Sequence, residues 1–452
     1  MGSLAGLLAA QGHTVTGCDG KLYPPMSEYI ERYGVTVFEG HDPSHLDPPP
    51  DLVIVGNAIH ADNPECRACM DASIPYLSMA QAIARFALDE ERTSLVVSGT
   101  HGKTTTTALC GFLLHDAGLS PNMLVGGIAR DFDSSFLWGG GQTTVVEGDE
   151  YETAFFDKGP KFLHYRPDIL ILNNIELDHL DNFDSLESLE AAFERLCGIV
   201  RDGGVVLCGI ESEPVAGMVP RIGAETLPYG LRGSEALTAS DVRYENSGTH
   251  FRLLLDGRDM GPFRSPLYGA HNLRNTLAAL GACRRAGAAW NDLRKALPAF
   301  RGVKRRQELL ADGSGVTVVD DFAHHPTALR ETLAALIQRF EPKRAVACFE
   351  PRSFTCQTDE HQEALPGAFE AADVVLIGPL KPHPKIPEHR RLDLSRVAAR
   401  IEAAGKTAAV MEDREAYLAW FDRNLLEGDL VAFFSSGAFL GLPHALAARV
   451  AP

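Results

Sequence analysis

The residues best suited to chemistry lie at Ser98-Gly99-Thr100-His101-Gly102-Lys103-Thr104-Thr105. Two glycines permit a tight turn, a lysine supplies a full positive charge, and the hydroxyl after it is of the kind that ligates Mg²⁺. Successive backbone N–H groups in front of a helix start make a cradle for a nucleotide phosphate. The spacing departs from G-x-x-x-x-G-K-[ST], because Val97 stands where the first glycine belongs. What remains is the shorter G-T-x-G-K-T form.

Two acidic stretches could hold a cation beside such a cradle. Val146-Glu147-Gly148-Asp149-Glu150-Tyr151-Glu152 carries acids that repel one another unless cations neutralise some of them. A solvated acidic loop is the competing reading. Asn173-Asn174-Ile175-Glu176-Leu177-Asp178-His179 ends in a histidine beside acids, suited to a metal ligand or an orienting group. Later in the chain, His271-Asn272-Leu273-Arg274-Asn275 offers amides able to read an adenine edge. Lys304-Arg305-Arg306-Gln307 offers a cation able to reach a γ-phosphate, and Asp320-Asp321-Phe322-Ala323-His324-His325-Pro326 offers acids able to hold a ribose hydroxyl. The tandem histidines do not make a zinc site by spacing, since neighbours face differently and no further ligand pattern accompanies them.

These groups need strands and helices to place them. Leu95-Val96-Val97 reads as a strand entering the glycine turn, and Thr105 to Ala117 as the helix leaving it. Strand-like runs at Thr143–Glu147, Asp168–Asn173 and Val205–Cys208 alternate with helix-like stretches, which predicts a mostly parallel sheet covered on both faces. Both acidic stretches then fall at C-terminal strand ends, the edge where open α/β sheets bind ligands. Val242–Tyr244 and His250–Leu255 read as an antiparallel hairpin around Asn246-Ser247-Gly248, and Gly269 to Gly287 as a long helix.

The flanking regions carry a similar rhythm. Leu4 to Gln11 is helix-like, and His13–Asp19 and Asp51–Val55 are strand-like. This unit resembles a dinucleotide fold lacking its first strand and part of its glycine loop. Asp19 ends a strand where such folds contact a ribose or base; a solvated strand-end acid is the alternative. Pro48-Pro49-Pro50 is a stiff turn. Strands at Val316–Asp320, Arg344–Phe349, Asp373–Ile377, Thr407–Met411 and Leu430–Phe434 predict a third, doubly wound unit. The expected architecture is α/β with three domains, at 1–92, 93–300 and 301–452.

Composition agrees with that size. The chain has 452 residues, 45% hydrophobic and 23% charged, as in soluble globular proteins. A formal net charge of −18 argues against a nucleic-acid partner. The nine cysteines are scattered, and Cys66 and Cys69, the one close pair, read as ordinary reduced thiols. No run approaches the ~18 apolar residues of a membrane span, and Met1-Gly2-Ser3-Leu4-Ala5-Gly6 lacks the character of a signal peptide. A cytoplasmic location is expected.

Taken together, the motifs resemble those of the Mur ligase family, the ATP-dependent amide-forming enzymes of bacterial cell-wall synthesis. The resemblance spans the chain. It rests on Gly99 to Thr105, Glu147-Gly148-Asp149-Glu150, Asn174-Ile175-Glu176-x-Asp178-His179, His271-Asn272-x-x-Asn275, Arg305-Arg306 and Asp320-Asp321-x-x-His324-His325-Pro326. It implies a Rossmann-like N-terminal domain that binds a UDP-sugar, a central P-loop ATPase domain, and a Rossmann-like C-terminal domain that helps bind the amine. ATP and Mg²⁺ are the implied cofactors. Gly99, Thr100, His101, Gly102, Lys103, Thr104 and Thr105 would surround the phosphates, with Lys103 on the β/γ-phosphates. Thr104 and Glu147 would bind one Mg²⁺ and His179 a second metal. Asn275, with Asn272 beside it, would face adenine, Arg306 the γ-phosphate and Asp321 the ribose. Lys103, Glu147, His179 and Arg306 form the implied catalytic set. Asp19, His41 and Asn57 are candidates by position for UDP, and His324 and Arg352 for the acceptor.

Several family members carry a carbamylated lysine soon after the D-H pair, where this chain has Phe193-Glu194-Arg195. The branch acting on UDP-N-acetylmuramate also lacks that lysine. Within that branch the acceptor is either L-alanine or the murein tripeptide L-alanyl-γ-D-glutamyl-meso-diaminopimelate, the latter in peptidoglycan recycling. The tripeptide is favoured by Tyr23-Pro24-Pro25-Met26-Ser27, by Tyr151, by the long stretch from Asp157 to Pro167, and by Phe349-Glu350-Pro351-Arg352-Ser353. Cys356 replaces an arginine typical of the alanine-adding members. The implied reaction is attack of the lactyl carboxylate on ATP, giving an acyl phosphate that the peptide amine then displaces. The competing readings are L-alanine as acceptor, a folylpolyglutamate-type ligase, and a non-catalytic nucleotide-binding regulator. The extra N-terminal unit and the D-H-H-P stretch disfavour the folate reading. Small-molecule substrates, no nucleic acid, no membrane, and a monomer or weak homodimer are expected.

Overall fold

The computed structural model describes residues 1–20 and 30–451. The expected contribution of Tyr23 to Ser27 falls outside the described residues.

A ten-stranded sheet forms the centre of the molecule. Its middle strands pair in parallel in the order Glu225–Tyr229, Val205–Gly209, Ile169–Leu172, Thr93–Ser98, Thr143–Gly148 and Asn122–Ala129. Thr93–Ser98 is buried on both faces, which is why Leu95-Val96-Val97 reads as an unbroken apolar run. Alternation along it still divides the core. Leu95 and Val97 pack with Leu109, Leu113, Leu277 and Leu280 on one face, while Val96 packs with Phe193 and Leu196 on the other.

Both edges of this sheet turn antiparallel. One edge carries the expected hairpin, extended to Leu237–Glu245 and Gly248–Leu255, with Arg258–Ser265 as a third strand. Ser134–Trp138 closes the other edge against Asn122–Ala129.

The N-terminal domain contains two separate two-stranded parallel pairs, Thr16–Asp19 with Thr36–Glu39 and Val53–Val55 with Tyr76–Ser78. Its first helix, Gly2–Ala10, lies against Ser134–Trp138 so closely that a Cβ on Gly6 would meet the Phe136 ring at 2.3 Å. Leu4 and Leu7 are buried there. Burying one such side chain contributes about 1.5–3 kcal/mol, against ~0–1 kcal/mol for an exposed ion pair such as Arg32–Asp133. Apolar packing therefore dominates the docking.

The C-terminal domain is a six-stranded sheet, parallel except for its edge strand Glu308–Gly313, which runs antiparallel to Val316–Asp321. The connecting segment changes allegiance within a few residues. Lys304 N–H donates to the Ile128 carbonyl at 2.9 Å, and Arg130 N–H to that of Gly302 at 2.9 Å, so the segment is fixed to the central sheet. From Arg305 onward C-terminal partners join in, although Arg306 N–H still donates to the Val303 carbonyl at 3.2 Å. Phe322 N–H donates to the Arg305 carbonyl at 2.8 Å, and Gln307 N–H to Asp321 at 2.6 Å.

Candidate nucleotide and ligation site

The glycine turn lies between Thr93–Ser98 and the helix Lys103–Asp116, as its sequence predicts. Gly99 has φ +118° and a Cβ there would stand 2.8 Å from the Asn174 carbonyl oxygen. Gly102 has φ +83° and a Cβ would stand 2.5 Å from Asn275 Oδ1. Both positions therefore need glycine for conformation and for space. No side chain caps the helix at Gly102, so its first N–H groups remain available to an anion.

The end of the neighbouring strand, Ile169–Leu172, scaffolds this turn. Thr100 N–H donates to the Asn174 carbonyl at 3.0 Å, and His101 N–H to Asn174 Oδ1 at 2.8 Å. Asn173 Nδ2 donates to the His101 carbonyl at 3.1 Å. Behind the turn, Asn275 Nδ2 donates to Asn272 Oδ1 at 3.3 Å, while Asn272 Nδ2 donates to the Tyr268 carbonyl. The structure thus sets Asn275 against the base of the loop.

Lys103 and the acidic stretch form one cluster. Lys103 Nζ donates to both Glu150 oxygens, at 3.1 and 2.9 Å, and to the Gly99 carbonyl at 2.7 Å. Burial pulls the ammonium's pKa down, but Glu150, Asp149 and Glu147 outweigh it and hold it above the ordinary lysine value. Burial likewise pushes Glu150 up, and Lys103 and His179 outweigh it, so Glu150 stays ionised. His179, with φ +56°, brings Nε2 to 3.3 Å from Glu150 Oε1. Burial lowers its pKa, and Glu150 and Asp178 more than restore it. Lys161 Nζ lies 3.1 Å from Asp149 and 4.0 Å from the centre of the Tyr151 ring, steadying the acidic loop from below.

Glu147 is built differently. Its carboxylate accepts from Gly126 N–H at 2.6 Å and from the Thr104 hydroxyl at 3.3 Å. Burial, with Asp149 adding repulsion, pushes its pKa up to about 7. A buried carboxylate beside the Thr104 hydroxyl is an oxygen donor set that fits a hard divalent cation such as Mg²⁺.

Arg306 completes the set from the connecting segment. Its guanidinium donates to Thr104 Oγ1 at 3.2 Å and lies 4.9 Å from the centre of the Phe322 ring. Asp321 accepts from two backbone amides, Gln307 at 2.6 Å and Ala323 at 2.7 Å, and so fixes the segment that carries Arg306.

The tandem histidines turn to different acids. His325 Nδ1 lies 3.2 Å from Glu176 and His324 Nε2 3.8 Å from Asp178. His101 Nε2 lies 3.4 Å from Glu176, and the donor atoms of His101, Glu176 and His325 all fall within 4.8 Å of one another. Local spacing could not show this grouping, because its members come from three distant parts of the chain. Cys356 is buried beneath His324 and donates to its carbonyl at 3.1 Å.

One cavity of about 1870 Å³ joins these groups, lined by Lys103, Glu147, His179, Arg306 and His324, with Asn57 on the N-terminal wall. Its size exceeds the ~300–1,000 Å³ usual for one ligand. Asp19, His41 and Arg352 are not among the lining residues. Asp19 is exposed and its carboxylate accepts from Gly20 N–H. His41 is turned toward Cys18 and Glu65, and Arg352 lies across Gly437. Glu150 and Glu176 lie inside motifs the sequence draws attention to, but without roles of their own, and Lys161 lies within the stretch from Asp157 to Pro167; Glu150 and Lys161 are buried charges, which composition does not reveal.

Comparison with known proteins covers the whole architecture. Residues 97–283 match the family model of the Mur ligase middle domain, residues 1–91 that of the Mur ligase family catalytic domain, and residues 305–437 that of the Mur ligase glutamate ligase domain. The chain is 36% identical to the UDP-N-acetylmuramate–L-alanyl-γ-D-glutamyl-meso-2,6-diaminoheptandioate ligase of Escherichia coli K12, over 99% of this chain and 95% of the relative. It is 30% identical to the UDP-N-acetylmuramate–L-alanine ligase of Desulforapulum autotrophicum, over 99% and 95%. Among solved structures, a murein peptide ligase from Psychrobacter arcticus superposes with a TM-score of 0.73 at 31% identity, covering 100% of this chain and 96% of that one.

Proposed function

The chain belongs to the Mur ligase family of ATP-dependent amide-forming ligases, and we propose that it joins UDP-N-acetylmuramate to the tripeptide L-alanyl-γ-D-glutamyl-meso-diaminopimelate in peptidoglycan recycling. The observation that carries this reading is the convergence of Lys103, Glu147, His179 and Arg306 on one cavity large enough for three reactants. The tripeptide is supported by the relative at 36% identity, against 30% for the L-alanine ligase.

In this reading the lactyl carboxylate attacks the γ-phosphorus of ATP and ADP leaves, giving an acyl phosphate. The peptide's free amine then attacks the acyl carbon and phosphate leaves with the bonding electrons. The protein's task is to align two anions and offset their repulsion. Backbone amides at the helix start, from Lys103 to Thr105, would hold the phosphates, since those of Thr100 and His101 already donate to Asn174. Lys103, now shared with Glu150, turns to the β/γ-phosphates, and Arg306 meets the γ-phosphoryl oxygens. Thr104 and Glu147 would hold Mg²⁺, with His179 at a second metal. Bound there, the ions supply charge neutralisation at the transferring phosphoryl group. Asn272 and Asn275 would face the adenine and Asp321 the ribose. His324 is the acceptor-side candidate on the cavity wall.

No described helix is long and apolar enough to cross a membrane. A cytoplasmic enzyme, monomeric or weakly dimeric, without a nucleic-acid partner completes the proposal. The deciding experiment measures phosphate release with ATP, Mg²⁺ and UDP-N-acetylmuramate, comparing the tripeptide with L-alanine. Faster release with the tripeptide is expected. Equal or faster release with L-alanine would reassign the acceptor, and ATP binding without turnover on either would reject ligation.

A further inference from the structure

Away from the cavity, the N-terminal domain gathers a second set of metal-suited donors. Cys18 lies in Thr16–Asp19, His41 follows Thr36–Glu39, and Glu65 sits in the first turn of the helix Pro64–Asp71. One donor atom from each falls within 4.8 Å of the others. His41 Nδ1 is 3.6 Å from Cys18 Sγ and 3.2 Å from Glu65 Oε2, and the Cys18 thiol donates to that same oxygen. Metal bonds of about 2.0–2.3 Å in a tetrahedral site put neighbouring donors roughly 3.3–3.8 Å apart. The histidine distances are close to that spacing.

Glu65 is the unusual member. It is only 8% exposed, although first-turn glutamates ordinarily face water. Its ion-pair partners among the described residues are His41 and His45, with no lysine or arginine. Its other oxygen, Oε1, accepts from Asp42 N–H at 3.2 Å and pairs with His45 Nδ1. Outer partners of this kind orient a carboxylate ligand. Here they leave Oε2 facing Cys18 and His41.

We propose that Cys18 Sγ, His41 Nδ1 and Glu65 Oε2 bind a borderline-soft divalent transition ion, represented by Zn²⁺, with water in the fourth position. A sulfur and an imidazole select such an ion over Mg²⁺, which separates this site from the oxygen donors at Thr104 and Glu147. On binding, the thiol proton leaves to solvent as the sulfur–metal bond forms, and the Cys18–Glu65 hydrogen bond opens to admit the ion. The ion ties together parts that no strand pairing among the described residues joins. Cys18 and His41 belong with the first parallel pair, whereas Glu65 lies on the crossover between the strands of the second. Its role is to clamp the two halves of this domain. The proposal stands apart from the ligase reading and can fail without it.

The test uses the full chain, stripped with chelator and titrated with Co²⁺ and then Zn²⁺. One equivalent of Co²⁺ is expected to give thiolate-to-metal charge-transfer absorption with tetrahedral d–d bands, and Zn²⁺ to displace it and raise the melting temperature. Cys18→Ser should abolish the charge-transfer band, and Glu65→Gln, which keeps the thiol, should weaken Zn²⁺ binding at least tenfold. His325→Ala, in the thiol-free triad at the cavity, should leave the band intact. Absence of the band at one equivalent, its survival in Cys18→Ser, or unweakened Zn²⁺ binding by a natively folded Glu65→Gln would overturn the assignment.

Discussion

The guanidinium of Arg306 donates to the hydroxyl of Thr104 at 3.2 Å, across 202 positions of sequence. Thr104 in turn donates to Glu147 at 3.3 Å, so a cation from the connecting segment and an acid from the central sheet meet on one hydroxyl. Arg306→Ala should lower kcat by about 10²–10³-fold, the usual effect of removing one donor at developing charge. Arg306→Lys should recover only part of this, because an ammonium lacks the planar fork. Steady-state ADP release checks both. Full activity in Arg306→Lys would show that charge alone is used.

Lys103→Ala should leave the circular dichroism spectrum native and suppress ADP release at least about 10²-fold. Among the described residues, Glu150 would then keep His179 alone as its ion-pair partner. Wild-type turnover in this variant would remove Lys103 from the mechanism.

Glu147 gives a pH signature in Mg²⁺-free buffer. Its folded pKa of about 7 lies above the 4.5 of an ordinary glutamate. Between those values the unfolded chain releases the proton that the folded chain retains, so stability falls as pH rises across that window and levels off above it. Thermal melts from pH 4.5 to 7.5 should show this slope, and Glu147→Gln should flatten it. Added Mg²⁺ should offset the loss near pH 7 in wild type but not in Glu147→Gln. An unchanged slope in the variant would assign the titration to another group.

Gly102→Ala tests the turn. A Cβ at φ +83° and 2.5 Å from Asn275 Oδ1 forces either the loop or Asn275 to move. Strain of this kind costs about 1–3 kcal/mol. The expected result is an ATP KM raised about tenfold or more, with a smaller change in the KM for UDP-N-acetylmuramate. An unaltered ATP KM would detach the loop from the nucleotide.

The strand and helix around the glycine turn were legible because an apolar run, paired glycines and a helix-forming segment all require the same local geometry. Asn122–Ala129 and Ser134–Trp138 were not, since Gly126-Gly127 interrupts the first and pairing across the sheet edge stabilises both. At the site, residue type pointed to acids and cations but not to their partners. Nothing local distinguishes Glu150, which holds Lys103, from Glu152, which is exposed. Arg352 has the charge for an anionic acceptor, but its backbone position turns it across Gly437.

Arg306 stands at the join itself: its own N–H donates to the Val303 carbonyl and its guanidinium to Thr104, while its neighbours Arg305 and Gln307 are bonded to Phe322 and Asp321 of the C-terminal unit. Swinging the C-terminal unit away would therefore pull on Arg306 from both neighbours and disturb the hold of its guanidinium on Thr104. On the proposed reaction the two motions would be coupled, an interlock in which the triphosphate would meet this cation only while the C-terminal unit is seated, so that ATP would not be spent on water while the enzyme stands open.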